Sequence, residues 1–281
     1  MRLARAHVNG EPAAVLDTGD GHALAVVGGR HFADTPELLE AAGGDPSRIS
    51  AGAPVHADRL LTPVDRPGKV ICIGVNYRAH AEETGRPLPE HPMLFPKWHT
   101  SLAGPDDEIP LPPESDKVDS EAELAAVIGR RCRRVNPDDA AEVIFGYTAA
   151  NDVSMRDFQR HTQQFTAGKA WDRSTPVGPF IVPAAELGGA RPDVAISGTL
   201  NGERRQDSRT SDLIFGVPEL IAYITTAMTL EPGDLILTGT PSGVGAASDP
   251  PRFARDGDVY EVEIEGIGSL RNTFRDESPG R

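Results

Sequence analysis

The sequence predicts an α+β fold rich in β-structure, with a small α/β unit over residues 1–62 and a larger body over residues 63–281. Three observations lead there. The 25 prolines among 281 residues favour loops and short strands over long helices. Apolar runs are short and mostly end at Gly or Pro, as strands between turns do. The length suits one large domain, or a main domain with an appendage, and is enough for a sizeable core.

In the leading unit, residues 13–16 and 23–27 read as strands around the turn at 17–21, and residues 36–42 as a helix stopped by Gly43. A proline-rich join at 61–68 leads to a buried strand at 69–74. A short helix over 76–85 follows, with Asn76 as N-cap and Gly85 as stop. Residues 86–116 read as loop, and Phe95-Pro96-Lys97-Trp98 within them as an apolar wall. Further on come a helix from Pro137, a strand over 145–154 ending near Asp152, and a helix carrying Arg156 and Gln159. A polar loop at 166–172 holds Lys169, and a strand spans 176–183. Residues 194–200 open a hairpin turning at Asn201-Gly202. A helix at 217–228, a buried strand at 234–237 and an alternating strand at 259–265 complete the series.

The formal net charge of -14 argues against nucleic acid or an anionic membrane as partner. Cys72 and Cys132 make neither a zinc motif nor a disulfide framework, which points to a reducing compartment. The first residues lack the apolar run of a signal peptide, and no stretch is apolar enough to span a bilayer. A cytoplasmic location is therefore expected. His7, His22 and His31 have no partners at metal-ligand spacing.

Asp119, Glu121 and Glu123 alternate. On a strand they share a face, and like charges that close need a cation. Mg2+ suits an oxygen-only site. The same stretch also reads as a helix. Ser120-x-x-Glu123 is a capping box, and Leu124, Val127 and Ile128 recur at helical spacing. Local pattern favours the helix. His80 and Glu83, three apart on their helix, make either a solvated pair or a general base oriented by a carboxylate. The glycine-rich loop at 238–245 lacks Gly-Lys-Ser/Thr and a following helix, so it is no nucleotide P-loop. Its N–H groups suit either an approaching anion or a tight turn.

Four stretches occur in one order: Gly74-x-Asn76-Tyr77-x-x-His80-x-x-Glu83, Asp119-x-Glu121-x-Glu123-Leu124, Asn151-Asp152-Val153-Ser154-x-Arg156, and Thr238-Gly239-Thr240-Pro241-x-Gly243-Val244-Gly245. Together they resemble the fumarylacetoacetate hydrolase family over residues 69 to 270. The resemblance implies a mixed β-sheet roll in which the acidic stretch is a strand. It implies Glu121, Glu123 and Asp152 as ligands of Mg2+, with Mn2+ or Ca2+ as substitutes, and a supporting place for Asp119. Lys169, His80 and Glu83 match catalytic positions. Tyr77, Arg156, Gln159, Thr240 and Gly239 match substrate contacts. A homodimer is implied in the same way.

A 1,3-dicarbonyl or 2-oxo acid can chelate such an ion through two oxygens, and the ion stabilises the enolate. The expected activity is hydrolysis of a carbon–carbon bond in a small acylpyruvate-like or diketo acid, with His80 activating water. Oxaloacetate-type decarboxylation and dienoate isomerisation need the same intermediate. A non-catalytic metabolite-binding protein is the alternative of another class. Loops 86–116 and 160–175 set the tail of the substrate.

Overall fold

Ala122–Ile128 is the central strand of the molecule, and every residue in it is buried. It lies between Ile144–Asn151 and Leu235–Leu237, both antiparallel to it. Both of its faces are covered, so the sequence shows a near-continuous apolar run, which helical spacing fits equally well. The capping box therefore misleads, and the family resemblance gives the right element. The computed structural model describes residues 1–277.

The large sheet has 13 strands. Beyond Leu235–Leu237 it continues through Val70–Gly74, paired in parallel, to Met93–Lys97. On the other side, Ile144–Asn151 pairs with Thr175–Pro183, which meets the N-terminal strand Arg2–Val8 at Leu3↔Ile181. A five-stranded sheet, which includes Ala195–Leu200, Val259–Ile264 and Gly268–Asp276, packs on one face. There Leu124, Ala126, Tyr147 and Val182 meet Ile196, Val262, Leu270 and Phe274. The opposite face packs Ala125, Val127, Leu235 and Cys72 against Leu38 and Leu39 of the helix Thr35–Ala42. The fold is α+β and β-rich, as expected.

Several elements follow local chemistry. Asp34 caps Thr35–Ala42 by accepting from the Glu37 N–H at 3.0 Å, and Gly43 ends it in the left-handed region at φ 63°. Asn201 and Gly202, both at positive φ, make the two-residue hairpin turn. Other elements differ from expectation. The helix after Gly74 spans Arg78–Glu83, and Asn76 does not cap it. Its side-chain amide instead donates to the carbonyls of Phe215 and Thr238 and accepts from the Phe215 N–H. Residues 137–142 form a 3-10 helix, and Thr166–Lys169 is a single helical turn rather than loop. Arg2–Val8, Met93–Lys97 and Gly268–Asp276 are strands that the sequence reading left out.

Candidate active site

Glu121 and Glu123 point to the same face because they are two apart in extended backbone. The Asp152 N–H donates to the Glu121 carbonyl at 2.9 Å, which brings the end of the neighbouring strand alongside. One carboxylate oxygen from each of Glu121, Glu123 and Asp152 lies within 4.8 Å of the others. All three residues are buried. Asp119 does not join them. It belongs to the short strand Val118–Asp119, paired with Ser154–Met155, and its carboxylate is taken by Arg156 and by the N–H groups of Gly245 and Ala246.

Cations surround the trio. The Lys169 ammonium lies 2.6 Å from Glu121 Oε2 and 2.7 Å from Asp152 Oδ2. Arg156 Nη1 is 2.6 Å from Glu121 Oε1, while its Nε donates to Asp119 Oδ2 at 2.8 Å. Burial alone would raise the Glu121 carboxyl, but Lys169 and Arg156 outweigh it and hold the group well below the usual range. Glu123 makes no ion pair among the described residues, and the more distant Lys169 offsets its burial only in part. Burial, then Asp152 and Glu121, push its carboxyl well above the ordinary glutamate value. Three hard oxygens converge, one of them destabilised as an anion by its two neighbours. That donor set fits a divalent cation such as Mg2+.

Lys97 is a buried cation beside the trio that sequence reasoning missed. Its ammonium is buried and lies 2.6 Å from Asp152 Oδ1. Lys97 stands two residues from Phe95 on one strand, and Phe95 lines the site cavity. Strand alternation was the available signal, hidden because Pro96 made the stretch look like loop.

The glycine-rich loop does bind anions, and they are the protein's own. Gly239 donates its N–H to Glu123 Oε2 at 2.7 Å, and Gly243 to Glu83 Oε1 at 2.8 Å. Gly245 and Ala246 both donate to Asp119. The loop thus holds an acid of the trio, the acid of the dyad and the acid that seats Arg156. Glu83 Oε2 is 2.8 Å from His80 Nδ1, which leaves Nε2 as the other ring nitrogen.

A cavity of about 380 Å³ joins the dyad to the trio through Glu121; Glu123 and Asp152 are not among its lining residues. His80, Glu83, Glu121, Arg156, Gln159, Lys169 and Thr240 line it. Its volume is in the usual range for small-molecule sites. Thr240 Oγ1 donates to the Ala122 carbonyl and accepts from Gln206. Gly239 and Tyr77 are not on the wall. Gly239 serves Glu123 instead. Tyr77 is fully buried and its hydroxyl has no hydrogen-bond partner among the described residues. Burial pushes its phenol up, with Glu123 and Asp212 adding to the effect.

The model of the fumarylacetoacetate (FAA) hydrolase C-terminal domain matches residues 69–275. The chain belongs to the fumarylacetoacetate hydrolase family. It is 43% identical over 219 residues to the oxaloacetate tautomerase YisK of Bacillus subtilis, covering 76% of this chain and 72% of that one. A solved structure titled 5-carboxymethyl-2-hydroxymuconate delta-isomerase from Mycobacterium smegmatis superposes with a TM-score of 0.78 at 38% identity. It covers 99% of this chain and 100% of that one. The fumarylacetoacetate hydrolase of Exiguobacterium antarcticum gives a TM-score of 0.85 at 33% identity with the same coverage. Relatives named for three reactions thus share this enzyme fold. No helix among the described residues is long and apolar enough to cross a membrane.

Proposed function

We propose that this family member interconverts the keto and enol forms of a small 2-oxo acid of the oxaloacetate kind, with Mg2+ as the working ion. One observation carries the reading: a single cavity is lined both by a carboxylate-oriented histidine and by Glu121 of the buried oxygen cluster with its partner Lys169. The name of the Bacillus subtilis relative supports it. Glu121, Glu123 and Asp152 would hold the ion, which when bound polarises the 2-oxo group and stabilises enolate charge.

The chain's own residues do the rest. Glu83 fixes the His80 ring through Nδ1, so Nε2 accepts a proton from the carbon beside the 2-oxo group. His80 then returns that proton to the enolate oxygen, or to carbon in the reverse direction. No water or co-reactant is consumed. Lys169 adds positive charge near the enolate. Gln159 and Thr240 orient the substrate from the wall, while Arg156 holds Glu121 and Asp119 in place.

Hydrolysis of a carbon–carbon bond is the second reading, favoured by the same dyad, because an oriented histidine also activates water. One panel separates the readings. The Mg2+-loaded protein is mixed with oxaloacetate and with an acylpyruvate, and enol absorbance and cleavage products are followed. Faster enol-to-keto relaxation than the spontaneous rate is expected. His80→Ala should lower that rate by about 100- to 10,000-fold. Cleavage of the acylpyruvate with relaxation left at its spontaneous rate would replace tautomerisation by hydrolysis. Binding without either reaction would leave a metabolite-binding role. We further propose a homodimer, which light scattering would read as twice the 30.0 kDa chain mass.

A further inference from the structure

Behind Thr240 stands a buried amide whose hydrogen bonds are all accounted for. Gln206 is the one buried residue of the strand Glu203–Arg209. Its Oε1 accepts from the Ala122 N–H and from the Tyr260 hydroxyl, each at 2.8 Å. Its Nε2 donates to Thr240 Oγ1 and to the Pro241 carbonyl, each at 2.8 Å. Gly198 leaves the room for this arrangement, because a Cβ there would collide with the Tyr260 hydroxyl and stand 2.9 Å from Gln206 Oε1.

Some of these partners can play only one role, and they fix the polarity of the others. A backbone N–H only donates, so the amide oxygen faces Ala122. A carbonyl only accepts, so the amide nitrogen faces Pro241 and, with it, Thr240. The Thr240 hydroxyl therefore accepts from Gln206. Its own proton goes to the Ala122 carbonyl at 2.9 Å, which likewise only accepts. Turning that proton elsewhere would leave a buried carbonyl facing a lone pair. A hydroxyl has one proton and two lone pairs. Thr240 lines the reaction cavity, so what its Oγ1 can offer a ligand there is one lone pair and no proton.

That lone pair needs a donor. Ionised carboxyl groups and carbonyls only accept. The keto form of a 2-oxo acid therefore brings nothing to it. An enol brings its hydroxyl, and so does a saturated 2-hydroxy acid.

We propose that Thr240 Oγ1, with its polarity fixed by Ala122 and Gln206, is an acceptor-only contact that selects ligands by a hydroxyl on the carbon beside the carboxylate. Saturated 2-hydroxy acids are then ligands of this site. The proposal rests on the enolisation reading for the kind of acid that enters the cavity.

The test uses 2-hydroxysuccinate and 2-fluorosuccinate, which share a carbon frame. The hydroxyl donates and the fluorine does not. Binding of each to the Mg2+-loaded protein is measured by calorimetry, in the wild type and in Thr240 variants. Any difference that the ion makes between the two acids is common to all the proteins and cancels. In Thr240→Val the hydroxy acid should bind roughly tenfold more weakly, while the fluoro acid binds about as before. Thr240→Cys fills nearly the same space with a sulfur that accepts poorly, and should give the same pattern if the valine variant does not fold. Thr240→Ser should keep the wild-type ratio of affinities. A purely structural loss would weaken both acids alike and would overturn the contact. A larger loss for the fluoro acid would show that the hydroxyl donates, which reverses the polarity and overturns it too. No binding of the hydroxy acid to the wild type has the same meaning. Failure of the enolisation reading shows elsewhere, as oxaloacetate relaxation that the wild type does not accelerate.

Discussion

Glu123 is where a carboxylate is least stable without a cation. It is 1% exposed, faces Asp152 and Glu121, and receives one loop N–H. Its raised pKa fixes the direction of a pH effect. In the metal-free protein the folded state holds the Glu123 proton more tightly than the unfolded chain does. That contribution is fully present below the ordinary glutamate value and is lost as pH rises through the raised one. Metal-free protein should therefore lose stability over that window, and divalent ion should restore it. Binding of the ion should release a proton, because the ligand must be the carboxylate. Calorimetry in buffers of different ionisation enthalpy reads this directly. Glu123→Gln should flatten the pH dependence and abolish binding. Ion uptake without proton release would contradict the assignment of Glu123. At this scale the convergence of Glu121, Glu123 and Asp152 was legible because they lie inside recognisable motifs. Lys97 was not, since a lone lysine beside a proline carries no spacing. Its meaning comes from Asp152, which is distant in sequence and adjacent only through the sheet.

The glycine-rich loop shows what elements add. Its composition promised N–H groups for an anion, but only the fold shows that Glu123, Glu83 and Asp119 take them. Gly243 is the position with least freedom. It adopts φ +101°, and a Cβ there would collide with the Arg205 carbonyl. Gly243→Ala should cost about 1–3 kcal/mol in urea unfolding, the usual cost of such backbone strain. Because the Gly243 N–H holds Glu83, the variant should also slow the His80-dependent step while ion affinity changes little. Full activity with wild-type stability would show that Glu83 does not need the loop. The acidic stretch failed as a local reading for a related reason. A strand buried on both faces loses its alternation, so periodicity cannot tell it from a helix, and only the order of distant motifs decides.

At the scale of the molecule, the division at residue 62 is the expectation most in need of a physical test. The core crosses it. Leu3, Leu38, Leu39 and Ala42 belong to one buried cluster with Cys72, Val127, Leu235 and Leu237. Gly44 abuts Gly129 closely enough that a Cβ would meet its backbone at 2.7 Å, and Arg130 Nε donates to the Gly43 carbonyl at 2.7 Å. The sheet itself passes from Arg2–Val8 to Thr175–Pro183. Sequence shows none of this, because the N-terminal strand is short and Arg2 and Arg5 interrupt its apolar residues. Uncovering a fully buried leucine-sized side chain costs about 1.5–3 kcal/mol. Several such contacts approach the 5–15 kcal/mol that typically holds a domain together. A fragment of residues 63–281 should therefore aggregate or bind a hydrophobic dye, and should lose the steep urea transition of the whole chain. Adding residues 1–62 in trans should restore part of the signal if the shared core drives the defect. A soluble fragment that unfolds cooperatively and still takes up divalent ion would instead establish the leading unit as a separable domain.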